Sequence, residues 1–241
     1  MTAAVLPLKP GRHRGLDSTA LAERMYAEIY HAIMGMRLAP ETKLTEKDLC
    51  EIYGLPRHQV RQVLAKLESD GLVDIKANRG AFIANPTEQE AREMFEVRMI
   101  LEAAVLEKIV PVLTAESLAA LSAMVEEERI AFRTGNKERW VKLSAEFHIA
   151  LARLTGNETL VSAITKYVTR TTLLISSSHP ATAGSCSFDE HLEILEAIRR
   201  KDLSAAVGVM RSHLAHCERR TPVQSQRVDL RAVLGEGAGA Q

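Results

Sequence analysis

Three histidines with metal-binding side chains lie far apart in the sequence, at His148, His191 and His213. Their separations of 43 and 22 residues match no local metal motif, so the imidazoles could meet only if a helical bundle brought their segments together. Imidazole nitrogens that converge in a bundle core suit divalent ions such as Zn²⁺ or Ni²⁺. Spacing alone nevertheless favours three ordinary helix histidines, each of them capping a helix or hydrogen-bonded.

A three-histidine site could also serve a metal-dependent hydrolase, which would need a general base beside the metal-bound water. Glu146 lies two residues from His148, so on a helix its side chain points away from the imidazole. The sequence contains no nucleophile elbow, no phosphate-binding loop and no pair of catalytic carboxylates. We therefore expect that the chain is not an enzyme, and keep the hydrolase as the alternative.

A second set of candidate residues falls between residues 44 and 85, where the sequence predicts helix, turn, helix and hairpin. Arg57 and Arg61 are four residues apart and therefore share one face of the later helix. Arginine can bind guanine through two hydrogen bonds, or it can bind a phosphate, and the sequence leaves both open. His58 and Gln59 lie on the same exposed turn and could add polar contacts.

Further candidate positions flank that helix. Lys47, on the preceding helix, is placed to touch a DNA backbone. Arg79 precedes Gly80 at the predicted hairpin tip, where glycine permits a close approach to a minor groove. Any one of these charges is more often simply solvated. Two helices, a break, an arginine pair backed by an apolar face and a glycine-tipped hairpin, in that order, predict a unit that binds duplex DNA.

The elements that position these residues follow from apolar periodicity. Apolar residues recur every four positions from Leu21 to Ile33, in a first helix that Asp17 or Ser18 could cap. Leu44 is assigned to the second helix, as one of its apolar anchors. Strands are predicted at 72–75 and 81–84.

From Pro86 onwards the pattern is helical, and Thr87 with Glu90 resembles a capping box. Helices are predicted at about 87–110, 115–134, 137–155, 158–177, 187–200 and 203–220. We predict a mainly α fold in four parts: a flexible arm (1–16), a DNA-binding unit with a small β-hairpin wing (17–86), an all-α antiparallel helical bundle (87–220) and a flexible tail (221–241).

Composition sets limits on the class of protein. Lys and Arg number 31, as do Asp and Glu, so no global field attracts nucleic acid. Three well-separated cysteines fit a reducing cytosol better than a disulfide scaffold. No apolar run approaches the ~20 residues that a membrane span needs. We expect a cytoplasmic protein without a membrane segment.

Residues 19–86 resemble the winged helix-turn-helix of GntR-type transcription regulators. Pro56 stands where that family has a helix-capping Ser or Thr, and His58 and Gln59 replace Thr and Pro, a difference that bears on base preference. The resemblance rests on three runs of sequence: residues 44–49 (LTEKDL), residues 54–72 (GLPRHQVRQVLAKLESDGL) and residues 78–81 (NRGA).

Residues 87–220 resemble the all-helical ligand-binding FCD domain of the FadR subgroup of those regulators. In metal-binding members an Asp one turn before the first of three histidines joins them around the ion, and Ser144 holds the Asp position here. The runs that carry the likeness are residues 98–102 (RMILE), 147–148 (FH), 154–160 (LTGNETL), 190–198 (EHLEILEAI) and 210–214 (MRSHL).

The resemblance implies that His148, His191 and His213 hold a divalent metal, with water or an effector carboxylate completing the site. A metal-free pocket whose histidines bind the effector directly stays open. Arg98, Ser144 and Arg170 are further candidate effector contacts, although Arg98 could instead only brace its helix through Glu102, and Arg170 could be a surface residue.

The resemblance also implies what the protein does. We expect a homodimeric transcription regulator whose two winged heads bind a roughly palindromic double-stranded DNA operator. A small organic acid in the helical domain would modulate that binding, and the habit of the subgroup favours a repressor released by its effector. The residues fix neither the effector, the operator nor the metal.

Overall fold

The computed structural model describes residues 17–35, 37–177 and 187–219. The arm predicted at 1–16 and the tail predicted at 221–241 lie outside the described residues. Among those residues, no helix is both long enough and apolar enough to cross a membrane. The elements follow in this order: α1 (Ser18–Met34), β1 (Lys43–Leu44), α2 (Glu46–Tyr53), α3 (Arg57–Ser69), β2 (Val73–Lys76), β3 (Gly80–Ile83), α4 (Glu88–Ile109), α5 (Ala115–Arg133), α6 (Lys137–Arg153), α7 (Glu158–Ser177), α8 (Ser187–Arg199) and α9 (Leu203–Arg219).

The part from α1 to β3, here called the head, has one apolar core to which its three helices and three strands all contribute. Gly54 ends α2 in a left-handed conformation, with φ of 67°. Pro56 occupies the N-cap of α3 and offers no side-chain hydrogen bond. The helix is anchored instead by its buried apolar face, which the sequence predicted: Val60, Val63, Leu64 and Leu67.

The head contains a sheet of three antiparallel strands in the order β1-β3-β2, whereas the sequence predicted only the β2–β3 hairpin. The assignment of Leu44 to a helix is wrong, because this residue lies in β1 opposite Ala81. Thr45 keeps extended backbone angles at the N-cap of α2, so the helix begins only at Glu46. Leu44 thereby points its side chain into the head core.

The part from α4 to α9, here called the bundle, has its own apolar core. Helix α4 packs against α7 and α9, while α5 packs against α6 and α8. Thr87 and Glu90 form the predicted capping box at the start of α4. Asp17 occupies the N-cap of α1, one of the two positions that the sequence predicted, but its side chain makes no cap hydrogen bond. The division between residues 86 and 87 stays a prediction.

The head and the bundle pack against each other. Helix α1 contacts α6 and α7, and Val141 and Leu173 of those helices belong to the head core. Gly71, between α3 and β2, has φ of +79°, and a Cβ there would lie 2.8 Å from the Lys166 carbonyl oxygen and from Cγ of Arg170. Glycine is therefore needed where the head meets α7.

Candidate DNA-binding surface and metal centre

The start of α3 presents two arginines to solvent, as the sequence predicted. The side chains of Arg57 and Arg61 are 66% and 64% exposed. Glu46, in the first turn of α2, pairs with both: Nε of Arg57 lies 3.4 Å from Oε2, and Nε of Arg61 donates a hydrogen bond of 2.8 Å to Oε1. One carboxylate therefore holds two guanidinium groups side by side on the surface.

The next two candidates on α3 differ in exposure. His58 is exposed, whereas Gln59 is only partly exposed, and its Oε1 is buried without a hydrogen-bond partner among the described residues. Gln59 lies one turn before Val63 and next to Val60, at the edge of the apolar face, which explains its burial. His58 is thus better placed than Gln59 to meet a ligand from solvent.

The predicted candidates outside α3 are all exposed. The side chain of Lys47 is 77% exposed, and its Nζ lies 4.0 Å from Glu51. Arg79 and Gly80 are exposed in the wing. The wing turn is formed by residues 77–79, with φ of 59° at Asn78, and Gly80 already opens β3 rather than forming the tip.

A cluster of cations surrounds one aromatic ring of the wing. Nζ of Lys43 and Lys76 and Cζ of Arg79 lie 5.7, 5.2 and 5.8 Å from the ring centroid of Phe82. Neither Lys43 nor Lys76 is among the residues that the sequence predicted at this surface. Lys76 could have been found from its place beside the predicted turn, but Lys43 is positioned by β1, which was not predicted.

The three candidate histidines converge in the bundle. His148 on α6, His191 on α8 and His213 on α9 are 4%, 0% and 1% exposed, and their ligand atoms all lie within 4.8 Å of one another. Nε2 of His213 lies 3.2 Å from Nε2 of His148. Nε2 of His191 is buried and has no hydrogen-bond partner among the described residues.

Each of the three imidazoles forms a hydrogen bond with a glutamate through Nδ1. A carboxylate only accepts hydrogen bonds, so the paired Nδ1 carries a proton and Nε2 is the atom directed elsewhere. Such carboxylate–histidine pairs fix imidazoles that ligate metals. The pairs are His148 Nδ1 with Glu102 at 2.6 Å, His191 Nδ1 with Glu128 at 2.8 Å and His213 Nδ1 with Glu190 at 2.7 Å.

Arg98 stands next to this centre. Its Nε donates to Glu102 at 2.7 Å and its Nη1 donates to Oγ1 of Thr171 at 2.8 Å, while Nη2 is buried without a partner among the described residues. The pair that spacing indicated on α4 therefore exists, but in the interior, with both side chains 3% exposed. Glu102 joins Arg98 to His148.

The other two candidate effector contacts, Ser144 and Arg170, lie on different helices. Ser144 is partly buried on α6, one turn before His148. Arg170 faces the head, where Nη1 donates a hydrogen bond of 2.8 Å to Asp74 of β2. The structure thus gives the Arg170 guanidinium a protein partner in the wing, and an effector contact at this residue stays a prediction.

Two family profiles together cover most of the chain. The FCD domain matches residues 93–216, and the bacterial regulatory proteins of the gntR family match residues 21–83. The chain belongs to the GntR family. As a GntR-family protein it is a DNA-binding transcription regulator and not an enzyme, and the hydrolase alternative has no support.

Similar proteins agree with this placement. The GntR chain is 23% identical over 194 residues to the HTH-type transcriptional repressor RspR of Escherichia coli (strain K12), a match covering 80% of this chain and 85% of that protein. It is 24% identical over 225 residues to the HTH-type transcriptional repressor NanR of Enterobacter sp. (strain 638), covering 84% and 86%.

Solved structures support the fold. E. coli McbR/YncC has a TM-score of 0.70 at 18% identity and covers 81% of this chain and 94% of its own. A GntR transcriptional regulator from Rhodococcus sp. RHA1 has a TM-score of 0.71 at 21% identity, with coverages of 84% and 95%.

The electrostatics of the FCD interior favour a cation. Burial lowers the pKa of His148 to about 3, against the opposing effect of Glu102. Burial also lowers the pKa of His191, so both imidazoles are neutral with a lone pair on Nε2. Burial alone would lower the pKa of His213 too, but Cys217 and Glu190 outweigh it and raise that pKa to about 10. The raised pKa of His213 indicates that positive charge is stabilised at this centre, where a metal ion would take the place of the proton.

The glutamates of this GntR chain were not among the predicted site residues, although a signal for two of them is present. Glu128 lies on the same buried face of α5 as Leu121 and Val125. Glu102 follows Phe95 by two turns and lies on the same buried face of α4. A carboxylate in a buried phase needs a partner. The buried positions of Glu102 and Glu128 are therefore a sequence signal for imidazole or cation partners, which the structure shows to be His148 and His191.

Proposed function

We propose that this GntR-family regulator is a homodimeric repressor that binds a palindromic DNA operator through α3 and the wing. A divalent metal at the three histidines and a small organic carboxylate modulate that binding. The observation that carries the proposal is the convergence of three buried imidazoles, each backed by a glutamate, in a chain whose α3 presents paired arginines outwards.

The proposed DNA contacts are spread over three elements of the head. At the start of α3, Arg57 and Arg61 read base edges or bind phosphates, and Glu46 restrains both side chains before DNA arrives. Exposed basic residues on α2 and in the wing bind the backbone. The full proposed set is Lys47, Arg57, His58, Gln59, Arg61, Arg79 and Gly80, and we include Lys43 and Lys76 because they lie beside Arg79 around the Phe82 ring.

The residues around the histidines fit a metal. Three imidazole nitrogens suit Zn²⁺ or Ni²⁺, and His191 Nε2 is a buried acceptor that lacks a protein donor among the described residues. When bound, such an ion supplies a positive charge to which an effector carboxylate can coordinate. Arg98 supports an anionic effector, because its buried Nη2 also lacks a partner within the described chain.

A homodimer has a possible interface on α4. Val97, Ile100, Leu101 and Ala104 follow one another at helical spacing, and all four are partly or fully exposed; Ile100 is 68% exposed. An apolar stripe on the outer side of a helix is typical of an interaction surface. The repressor assignment is supported by RspR and NanR, both of which are called transcriptional repressors.

The DNA part of the proposal is tested with a site selected by the protein itself from a random DNA pool. Fluorescence anisotropy would compare Arg57→Ala and Arg61→Ala with Arg199→Ala, whose exposed guanidinium pairs with Glu196 on the bundle. We expect the α3 variants to lose affinity by on the order of tenfold or more, and the control to keep it. Unchanged binding by both α3 variants would remove α3 as the recognition helix.

The metal and effector part is tested on the purified full chain. Elemental analysis after equilibration with Zn²⁺ or Ni²⁺ should find bound metal in the wild type and a loss of it in His148→Ala. A thermal-shift screen of small carboxylic acids, with and without metal, would then reveal effectors by the stabilisation that binding gives. Equal metal content and equal ligand responses in both proteins would rule out the histidine site.

A further inference from the structure

A thiol borders the histidine centre. Cys217 follows His213 by four residues on α9, so the two side chains share a helix face and Cys217 leans back towards His213. Sγ lies 3.7 Å from Nε2 of His213. That nitrogen is the one that also faces His148, at 3.2 Å.

These two separations have the size of the edges of a metal tetrahedron. With metal–nitrogen bonds of about 2.05 Å and metal–sulfur bonds of about 2.3 Å, adjacent nitrogens lie about 3.3 Å apart, and a nitrogen and a sulfur about 3.6 Å apart. The observed nitrogen–nitrogen distance of 3.2 Å and nitrogen–sulfur distance of 3.7 Å are close to both. His213 therefore stands between a second imidazole and a sulfur at ligand spacing.

An independent observation places an unfilled ligand atom in the same centre. His191 is fully buried, its Nδ1 is bound by Glu128, and its Nε2 meets no hydrogen-bond partner in the described part of the chain. Its ring centroid lies 4.7 Å from that of His213. A buried acceptor without a donor costs free energy unless something positive occupies the centre.

We propose that Sγ of Cys217 is the fourth protein ligand of the metal held by His148, His191 and His213, an inference that rests on the metal site of the proposed function. Sγ borders the histidine group on the His213 side, but it is not among the three ligand atoms that already lie within 4.8 Å of one another. The proposal therefore requires the half-buried Cys217 side chain to rotate about its Cα–Cβ bond on metal binding. On binding, the thiol releases its proton and a metal–sulfur bond forms, which places one negative charge against the ion.

This ligand set determines which metals are preferred. Three imidazoles and one thiolate form a closed, tetrahedral site that suits Zn²⁺ and Co²⁺ over ions that prefer oxygen ligands, such as Mn²⁺ and Mg²⁺. Ser144, one turn before His148 on α6, contributes no anionic ligand. An effector carboxylate would then have to displace the sulfur or bind beside the metal at Arg98.

The test uses Co²⁺, whose bond to a thiolate gives a near-ultraviolet charge-transfer band that nitrogen and oxygen ligands do not give. The full-length chain would be loaded with one equivalent and its absorption recorded, with bound cobalt measured independently. We expect the band in the wild type and in Cys50→Ser, a control at a cysteine of the head. We expect it to disappear in Cys217→Ser and Cys217→Ala, while bound cobalt persists at saturating metal.

The metal affinity of the Cys217 variants provides a second test. Loss of a residue that supports a metal ligand costs about 10–100-fold in affinity, so loss of the sulfur ligand should cost at least about tenfold. Wild-type protein that binds cobalt without the band would overturn the role of Cys217 and leave the three-histidine site intact. Wild-type protein that binds no cobalt or zinc would instead remove the metal site itself.

Discussion

Arg170 of α7 donates a hydrogen bond of 2.8 Å to the carboxylate of Asp74 on β2, across 96 residues of sequence. The two side chains are 15% and 34% exposed, so solvent and salt screen this ion pair less than a surface pair. Gly71 lets the head approach α7 at the same place. The wing is thereby tied to a helix of the FCD bundle.

The same helix reaches the histidine centre through its next residue. Thr171 accepts a hydrogen bond from Arg98, and Arg98 shares Glu102 with His148. A series of polar contacts thus leads from His148 to α7, and from α7 to the wing. Whether this series transmits ligand binding is a question of coupling free energy, which is measurable.

Asp74→Asn should weaken the coupling between metal and DNA. The substitution removes the charge that Arg170 binds but keeps the shape of the side chain. In the wild type we expect Zn²⁺ to change the DNA affinity by about 5–150-fold, the range typical of allosteric coupling. In Asp74→Asn we expect this ratio of affinities with and without Zn²⁺ to move towards one. Anisotropy titrations with metal or chelator measure the ratio. Arg199→Met, on an exposed pair of α8, is the control, and an unaltered ratio in Asp74→Asn would show that this contact does not couple the domains.

Gly71→Ala should destabilise the protein more than an alanine at another glycine of the same backbone class. Gly71 has φ of +79°, and its Cβ would lie 2.8 Å from the Lys166 carbonyl oxygen; Gly135 has φ of +71° with nothing within 4 Å. Both variants carry backbone strain of about 1–2 kcal/mol, and only Gly71→Ala adds a clash between head and bundle. Denaturant unfolding monitored by circular dichroism compares them. Equal losses would mean that the close approach is not maintained in solution.

Glu128→Gln should lower metal affinity without disturbing the surface. Glu128 and His191 are both fully buried and joined at 2.8 Å, so the substitution weakens the hydrogen bond that orients the imidazole. We expect a loss of about 10–100-fold in Zn²⁺ affinity, measured by competition with a chromophoric chelator. The neighbouring Glu127→Gln is the control, because Glu127 is 54% exposed and pairs only with Arg139 among the contacts seen. An unchanged affinity in Glu128→Gln would mean that His191 is not a ligand.

The sequence was sufficient to predict most of the helices, because these depend on local patterns. The apolar phase around Val60 and the capping box at Thr87 depend on residues within one or two turns. The two-residue strand β1 depends on β3, about 40 residues later, and Leu44 carries no local sign of it. Arg170 likewise finds Asp74 only once the domains are packed.

The histidine centre was predicted only in part, because some of its contacts depend on how the helices pack. His148, His191 and His213 are typical ligand residues and drew attention by type, and the resemblance supplied their grouping. Neither type nor resemblance indicated that Glu190 would hold His213, or that Cys217 would border it. Those contacts depend on the rotation of α8 against α9, which the packing of the bundle fixes.

Arg79→Ala and Arg57→Ala should weaken DNA binding in different ways. Arg79 belongs to the cation cluster around Phe82 in the wing, and a backbone contact from this residue carries no base preference. We expect the removal of Arg79 to weaken binding about equally for selected and scrambled DNA, and to reduce the slope of log K against log salt by about one.

The substitution Arg57→Ala, at the exposed start of α3, should instead reduce the discrimination between the two DNAs by about 1–3 kcal/mol if Arg57 reads a base edge. Anisotropy titrations at several salt concentrations separate the two effects, and a variant of Arg57 that keeps full discrimination would assign this residue to a phosphate.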